Sequence, residues 1–222
     1  MVRNPWLLKT VVPALGILVA ARLSAFPQFA RESKAACASC HANVAGGAEL
    51  TDAGKAYKAS KTAPTTAPAK TADYVGNNKC KMCHMKQHKA WSTTPHSKAF
   101  TNLQAADTAK AGPMSRALNI PIADSPSTTD GCVTCHVTGF QLAGGYPAAD
   151  SAKTAAVAAV SCESCHGPGS AHVAAPMAEK KKFINTAVTA NMCTQCHTSV
   201  TSPKFNFVEY AKRIHPVPKT AG

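Results

Sequence analysis

The word Cys-x-x-Cys-His occurs five times in this chain: at Cys37, Cys40 and His41; Cys80, Cys83 and His84; Cys132, Cys135 and His136; Cys162, Cys165 and His166; and Cys193, Cys196 and His197. It uses all ten cysteines. The spacing is the attachment pattern of a c-type haem, in which both thiols bond to the porphyrin and the adjacent His supplies the fifth iron ligand. A zinc module would need its remaining ligands at a characteristic spacing, not a His directly after every second Cys. Structural disulfides would not repeat one word and leave no cysteine outside it. The motifs therefore predict five covalent haems and a chain that moves electrons.

That cofactor load constrains the fold. Aromatic residues make up 6% of the chain, and without a leader there are about 39 residues per haem, too few to bury each inside its own apolar core. The expected fold is mainly α, with short helices and loops wrapped around stacked haems and little or no β-structure. The net charge of +13 suggests nucleic acid at first sight. Loss of Arg3, Lys9 and Arg22 with a leader reduces it to about +10, and the haem propionates offset much of the remainder. Nucleic acid is therefore not an expected partner. Lys180, Lys181 and Lys182 are one candidate face for an acidic redox protein.

Arg3 and Lys9 precede an apolar run over residues 10–21, and Ser24 and Ala25 follow. This is the layout of a signal peptide over residues 1–25, and the run is short for a spanning helix. An uncleaved anchor is the alternative. The expected location is the periplasm or the cell surface, with no transmembrane segment in the mature chain. A Pro/Thr/Ala/Lys stretch over residues 59–73 lacks apolar periodicity and reads as a semi-stiff linker. It divides the chain into a one-haem module at 26–60, a linker at 61–75 and a four-haem module at 76–217. Residues 105–130, with Gly112, Pro113, Pro121 and Pro126, read as mainly loop. Helices are expected over 148–160 and 205–214, a turn at Gly167, Pro168 and Gly169, and at most a short strand pairing near 137–146.

Three passages carry a family resemblance: CKMCHMKQHKAWSTTPHSKAF from Cys80, CVTCHVTGFQLAGGY from Cys132 and VSCESCHGPG from Val160. With the last motif and His215, they make residues 76–217 resemble the tetrahaem cytochrome c-554 family. Residues 26–58 resemble the short monohaem segments that open many exported cytochromes. The resemblance implies distal iron ligands at His96, His172 and His215. The implied pairs are His84 with His172, His166 with His96, and His197 with His215. It leaves the haem on His136 five-coordinate and open to a small ligand. His88 is outside the family pattern and is a candidate sixth ligand for the haem on His41, with a solvent-facing role as the alternative. Met82 and Met85 flank the second motif, and a surface or packing role is the reading for both, with a sixth ligand to iron as the alternative.

The expected function is a carrier between a donor oxidase or dehydrogenase and a membrane or soluble acceptor. One alternative is an enzyme reducing nitric oxide or peroxide at the His136 haem. Another is a self-associating subunit of an extracellular cytochrome filament, in which histidines are shared between chains.

Overall fold

The computed structural model describes residues 27–65 and 71–214. The expected leader and His215 are outside that range. The chain is mainly helical, and its longest described helix, Thr108–Leu118, has 11 residues. The extended pairing among the described residues is a bridge between His41 and Leu50. Near 137–146 the backbone makes turns, with Tyr146 N donating to Thr138 O and Gln141 N to Tyr146 O, and not the strand pairing expected there. Gly139 and Gly144 take positive φ in this segment, which interrupts extended structure.

Each motif forms a helical turn because two cysteines three residues apart fall on one helix face. The turn is closed by the motif's own backbone: the N–H of His41, His84 and His197 donates to the carbonyl of Cys37, Cys80 and Cys193 at 2.9 Å in each case.

Residues 105–130 contain more helix than Gly112 and Pro113 suggest. Asp107 caps Thr108–Leu118 by accepting from Lys110 N at 2.6 Å, and Asn119 closes it in the left-handed conformation. Caps at both ends outweigh the backbone bond that Pro113 cannot make. The helix breaks before Pro95, between Met85–Ser92 and the 3-10 turn Pro95–Lys98.

The largest apolar cluster joins Ala99–Gln104 to Asp130–His136 and comprises Phe100, Leu103, Val133, Val137 and Phe140. Beside it, Thr138 is fully buried. Its hydroxyl donates to Ala159 O at 2.6 Å, accepts from Ser161 N at 3.0 Å, and meets the Ser161 and Ser164 hydroxyls. The indole of Trp91 donates to Val160 O at 2.9 Å. The loop before the fourth motif is thus tied to both the second and third motifs.

A buried carboxylate makes the other long-range tie. Glu163, inside the fourth motif, is 2% exposed. It accepts from Gly76 N and Gly169 N at 2.8 Å each and from Val75 N at 2.9 Å. Burial pushes its pKa up, and the three amides and Lys153 pull it back only in part. The folded chain therefore holds this proton more tightly than the unfolded chain does. The group's contribution to stability is complete below its ordinary pKa of 4.5 and is lost as pH rises through the folded value.

Glu163→Gln places an amide N–H₂ against backbone donors and is expected to lower stability by about 1–3 kcal/mol. It should also remove the part of the pH slope that Glu163 causes. Denaturant unfolding of the haem-loaded protein at pH 4 and pH 7, followed by circular dichroism, checks both.

Candidate haem-binding sites

None of the ten cysteines is in a disulfide. Among the described residues, no three His, Cys, Asp or Glu side chains converge as a metal cluster, so the thiols are not gathered into zinc-type sites. They come together in pairs from neighbouring motifs instead. The Cys80 thiol sits against Cys162 and is pushed up by that contact and then by burial. Cys165 is pushed up to about 12, by burial first and then by Cys193 and Cys162. The second and fourth motifs therefore adjoin, with Cys162–His166 packed on Asn77–Lys81.

A histidine that ligates through Nε2 needs a hydrogen-bond acceptor at Nδ1 to fix its tautomer and orient its ring. Nδ1 of His136 donates to Ala99 O and Nδ1 of His166 to Asn185 O, both at 2.8 Å. Nδ1 of His172 donates to Lys180 O at 2.9 Å, and Nδ1 of His197 meets the Ser202 hydroxyl at 2.8 Å. His41 differs: its Nδ1 is buried with no partner in hydrogen-bond geometry, although the Gly47 and Glu49 carbonyls lie near enough to oppose its pKa depression. Burial lowers the pKa of His41, His96 and His197, which favours the neutral imidazole that binds a metal.

Among the described residues, two pairs of histidine rings are close. His84 and His172 have centroids 6.2 Å apart with planes inclined by 26°. His96 and His197 are 5.8 Å apart and inclined by 51°. Metal–imidazole nitrogen bonds are about 2 Å long, so two rings sharing one axial iron have centres about 6 Å apart. The chain's residues therefore fit the cofactor the motifs call for. The His96 ring thus lies beside His197, whereas the resemblance pairs His96 with His166. The backbone of His96 is tied to Val160 N just before the fourth motif, but its ring lies by the fifth. The expected contact of His197 with His215 involves a residue outside the described range. Phe205 stacks on His197 at 4.8 Å and 12°, with Tyr210 edge-on at 6.1 Å.

His136 has a different setting. Among the described residues no histidine ring faces it, and its motif packs on the apolar cluster through Cys132, with Tyr146 and Ala158 alongside. His88 packs on Trp91 at 5.3 Å, and no ring contact joins it to His41 among the described residues. Met82 and Met85 are exposed and are not brought to any of the paired rings. Motif reading did not single out Glu163, Asn185 or Ser202. Glu163 did leave a signal, as the only acid inside the five motifs. Asn185 and Ser202 left none, because a backbone carbonyl or a serine beside a ring is set by tertiary packing.

Residues 79–167 match the family described as Cytochrome c554 and c-prime. The chain is 40% identical over 101 residues to "Cytochrome c-554" of Nitrosomonas europaea, an alignment covering 46% of this chain and 41% of that protein's length. The fold is similar to the reduced-state structure of cytochrome c554 from Nitrosomonas europaea. That match has a TM-score of 0.50 and 25% identity, and covers 65% of this chain and 84% of that one.

The ring pairs predict which haem each distal histidine serves. His172→Ala is expected to turn the haem on His84 from low-spin to high-spin, and His96→Ala to do so for the haem on His197. Paramagnetic NMR with assigned haem methyl signals reads the two apart. A change confined to the His166 haem in His96→Ala would restore the pairing implied by the resemblance.

Proposed function

Because residues 79–167 are a cytochrome c-554 family domain, we propose that this chain is an exported cytochrome with five covalent haems that carries single electrons between redox proteins. The observation that carries the reading is the pair of histidines 6.2 Å apart at His84 and His172, the first just before the helix Met85–Ser92 and the second within Ser170–Ala174, at the spacing of two axial ligands to one iron. The family match covers the second to fourth motifs, and the first and fifth repeat the same five-residue word.

Bound haem supplies reversible one-electron chemistry. The chain supplies the rest. The cysteine pairs anchor each group, and His41, His84, His136, His166 and His197 are the proximal ligands. His172 and His96 are distal ligands to the irons of His84 and His197, which leaves His215, paired with His197 by the resemblance, for the iron of His166. Carbonyls at Ala99, Asn185 and Lys180 hold their histidines in one tautomer, so ligand strength stays constant through a redox cycle. Adjacent motif cysteines, such as Cys80 with Cys162, keep consecutive haem edges close.

Export agrees with the leader-like residues 1–25. No described helix is long and apolar enough to cross a membrane. The partners are a donor oxidase or dehydrogenase and a soluble or membrane acceptor, recognised through the lysine surplus.

A second reading rests on the His136 setting, where no described histidine ring faces a ligand bordered by Phe100, Val133, Val137 and Phe140. That arrangement suits reduction of a small molecule such as nitric oxide or peroxide.

Intact mass and a pyridine haemochrome assay are expected to give five haems per chain, and replacing both cysteines of any one motif by Ala should remove one. A count of four, with the first motif empty, would sink the five-haem reading. Titrating the ferrous protein with carbon monoxide should alter the haem on His136, and the haem on His41 as well, since none of the three distal histidines is assigned to either. No change on ligand addition would rule out the reductase reading and leave the carrier.

A further inference from the structure

The segment around His41 is separated from the other motifs by the linker, yet it is seated on a defined place. Asn43, two residues after His41, donates through Nδ2 to Ile184 O at 3.2 Å, across 141 positions. Its Oδ1 accepts from Ala45 N at 2.9 Å, which sets the turn that presents Val44 and Ala45. Both are buried. The Ala45 carbonyl approaches Gly167 so closely that a side chain there would overlap it, and Gly167 has φ of +79°. Gly47 lies against the Asn185 side chain, with its missing Cβ position 3.7 Å from Oδ1.

The surface receiving this turn is the segment that orients His166. Asn185 O accepts from His166 Nδ1, and Asn185 N donates to His166 O at 3.0 Å. Asn185 is itself buried, with Oδ1 accepting from Ala187 N and Nδ2 reaching Met192 Sδ. A short path therefore runs from His41 through the backbone to Asn43, across one hydrogen bond to Ile184 O, along one peptide to Asn185, and across a second hydrogen bond to His166.

We propose that residues 37–47 and the segments 166–167 and 184–187 form a built-in docking interface, whose function is to make His166 the point where the His41 module exchanges electrons with the remaining motifs. This rests on the five-haem reading above. One electron lost at the His41 centre is gained at the His166 centre, or the reverse, with no proton or further reactant. Electrons collected by either module then reach the other through the fourth motif. That motif adjoins the second, where Cys162–His166 packs on Asn77–Lys81.

The test uses the haem-loaded full chain carrying a protease site among residues 61–65, cut after folding. The halves are expected to co-elute in gel filtration. The haem on His166 should keep a midpoint potential that depends on the oxidation state of the haem on His41. Asn43→Asp retains the acceptor for Ala45 N but sets a carboxylate oxygen against Ile184 O. It is expected to weaken association of the cut halves about tenfold and to remove the coupling of potentials, with each half's haem spectrum unchanged. Gly167→Ala, made on the opposite side of the contact, should weaken association likewise. Halves that separate in the unsubstituted protein while both retain their haems would overturn the interface. An N-terminal half without haem mass would instead overturn the five-haem reading, so the two failures are distinguishable.

Discussion

A carboxylate with three amide partners holds together a chain that has little apolar core to do so. Glu163 receives Val75, Gly76 and Gly169, and so fixes the residues ahead of the second motif and the turn after the fourth in one place. Ionised carboxylates are costly to bury, and hydrogen bonds to such a group are stronger than neutral ones. The site is both a constraint and a tie: the segments must come together for the charge to be tolerated. Cys80 meets Cys162 beside this clamp. The adjacency of the second and fourth haem sites depends on it.

The same economy extends to the histidines. Short helices bury little surface, so orientation comes from single hydrogen bonds to backbone carbonyls. His136, His166 and His172 each take one from a segment distant in structure type: a helix start, an irregular loop and a 3-10 turn. His166 and Asn185 bond to each other twice, which makes residue 185 a rigid platform. The first module rests on that platform through Asn43 and Gly47. A residue that orients one ligand thereby also positions the neighbouring module.

Much of the local architecture was readable from the residues. The helical motif turns, the break before Pro95, the short helix near 151–157 and the last helix at Phe207–Ile214 follow from spacing, proline and alanine content. Residues 105–130 misled because Pro113 and Gly112 weigh heavily in a count of breakers, whereas Asp107 and Asn119 stabilise both ends of Thr108–Leu118. The ring neighbour of His96 was not legible for a different reason. A histidine's place along the chain reports which segment holds it, and the ring it faces depends on how three segments pack around Val160.

The sequence by itself determined the chemistry. Ten cysteines in five copies of Cys-x-x-Cys-His point to the cofactor class, because the thiols and imidazole of one helical turn are local. It also indicated the likeness of residues 76–217 to cytochrome c-554. Only the tertiary structure decided which motifs adjoin, that His96 faces His197, and that the first module sits on the platform of His166. Those contacts join residues up to 141 positions apart, and the side chains that make them, Asn43, Glu163 and Asn185, are ordinary polar residues until the fold brings backbone partners to them.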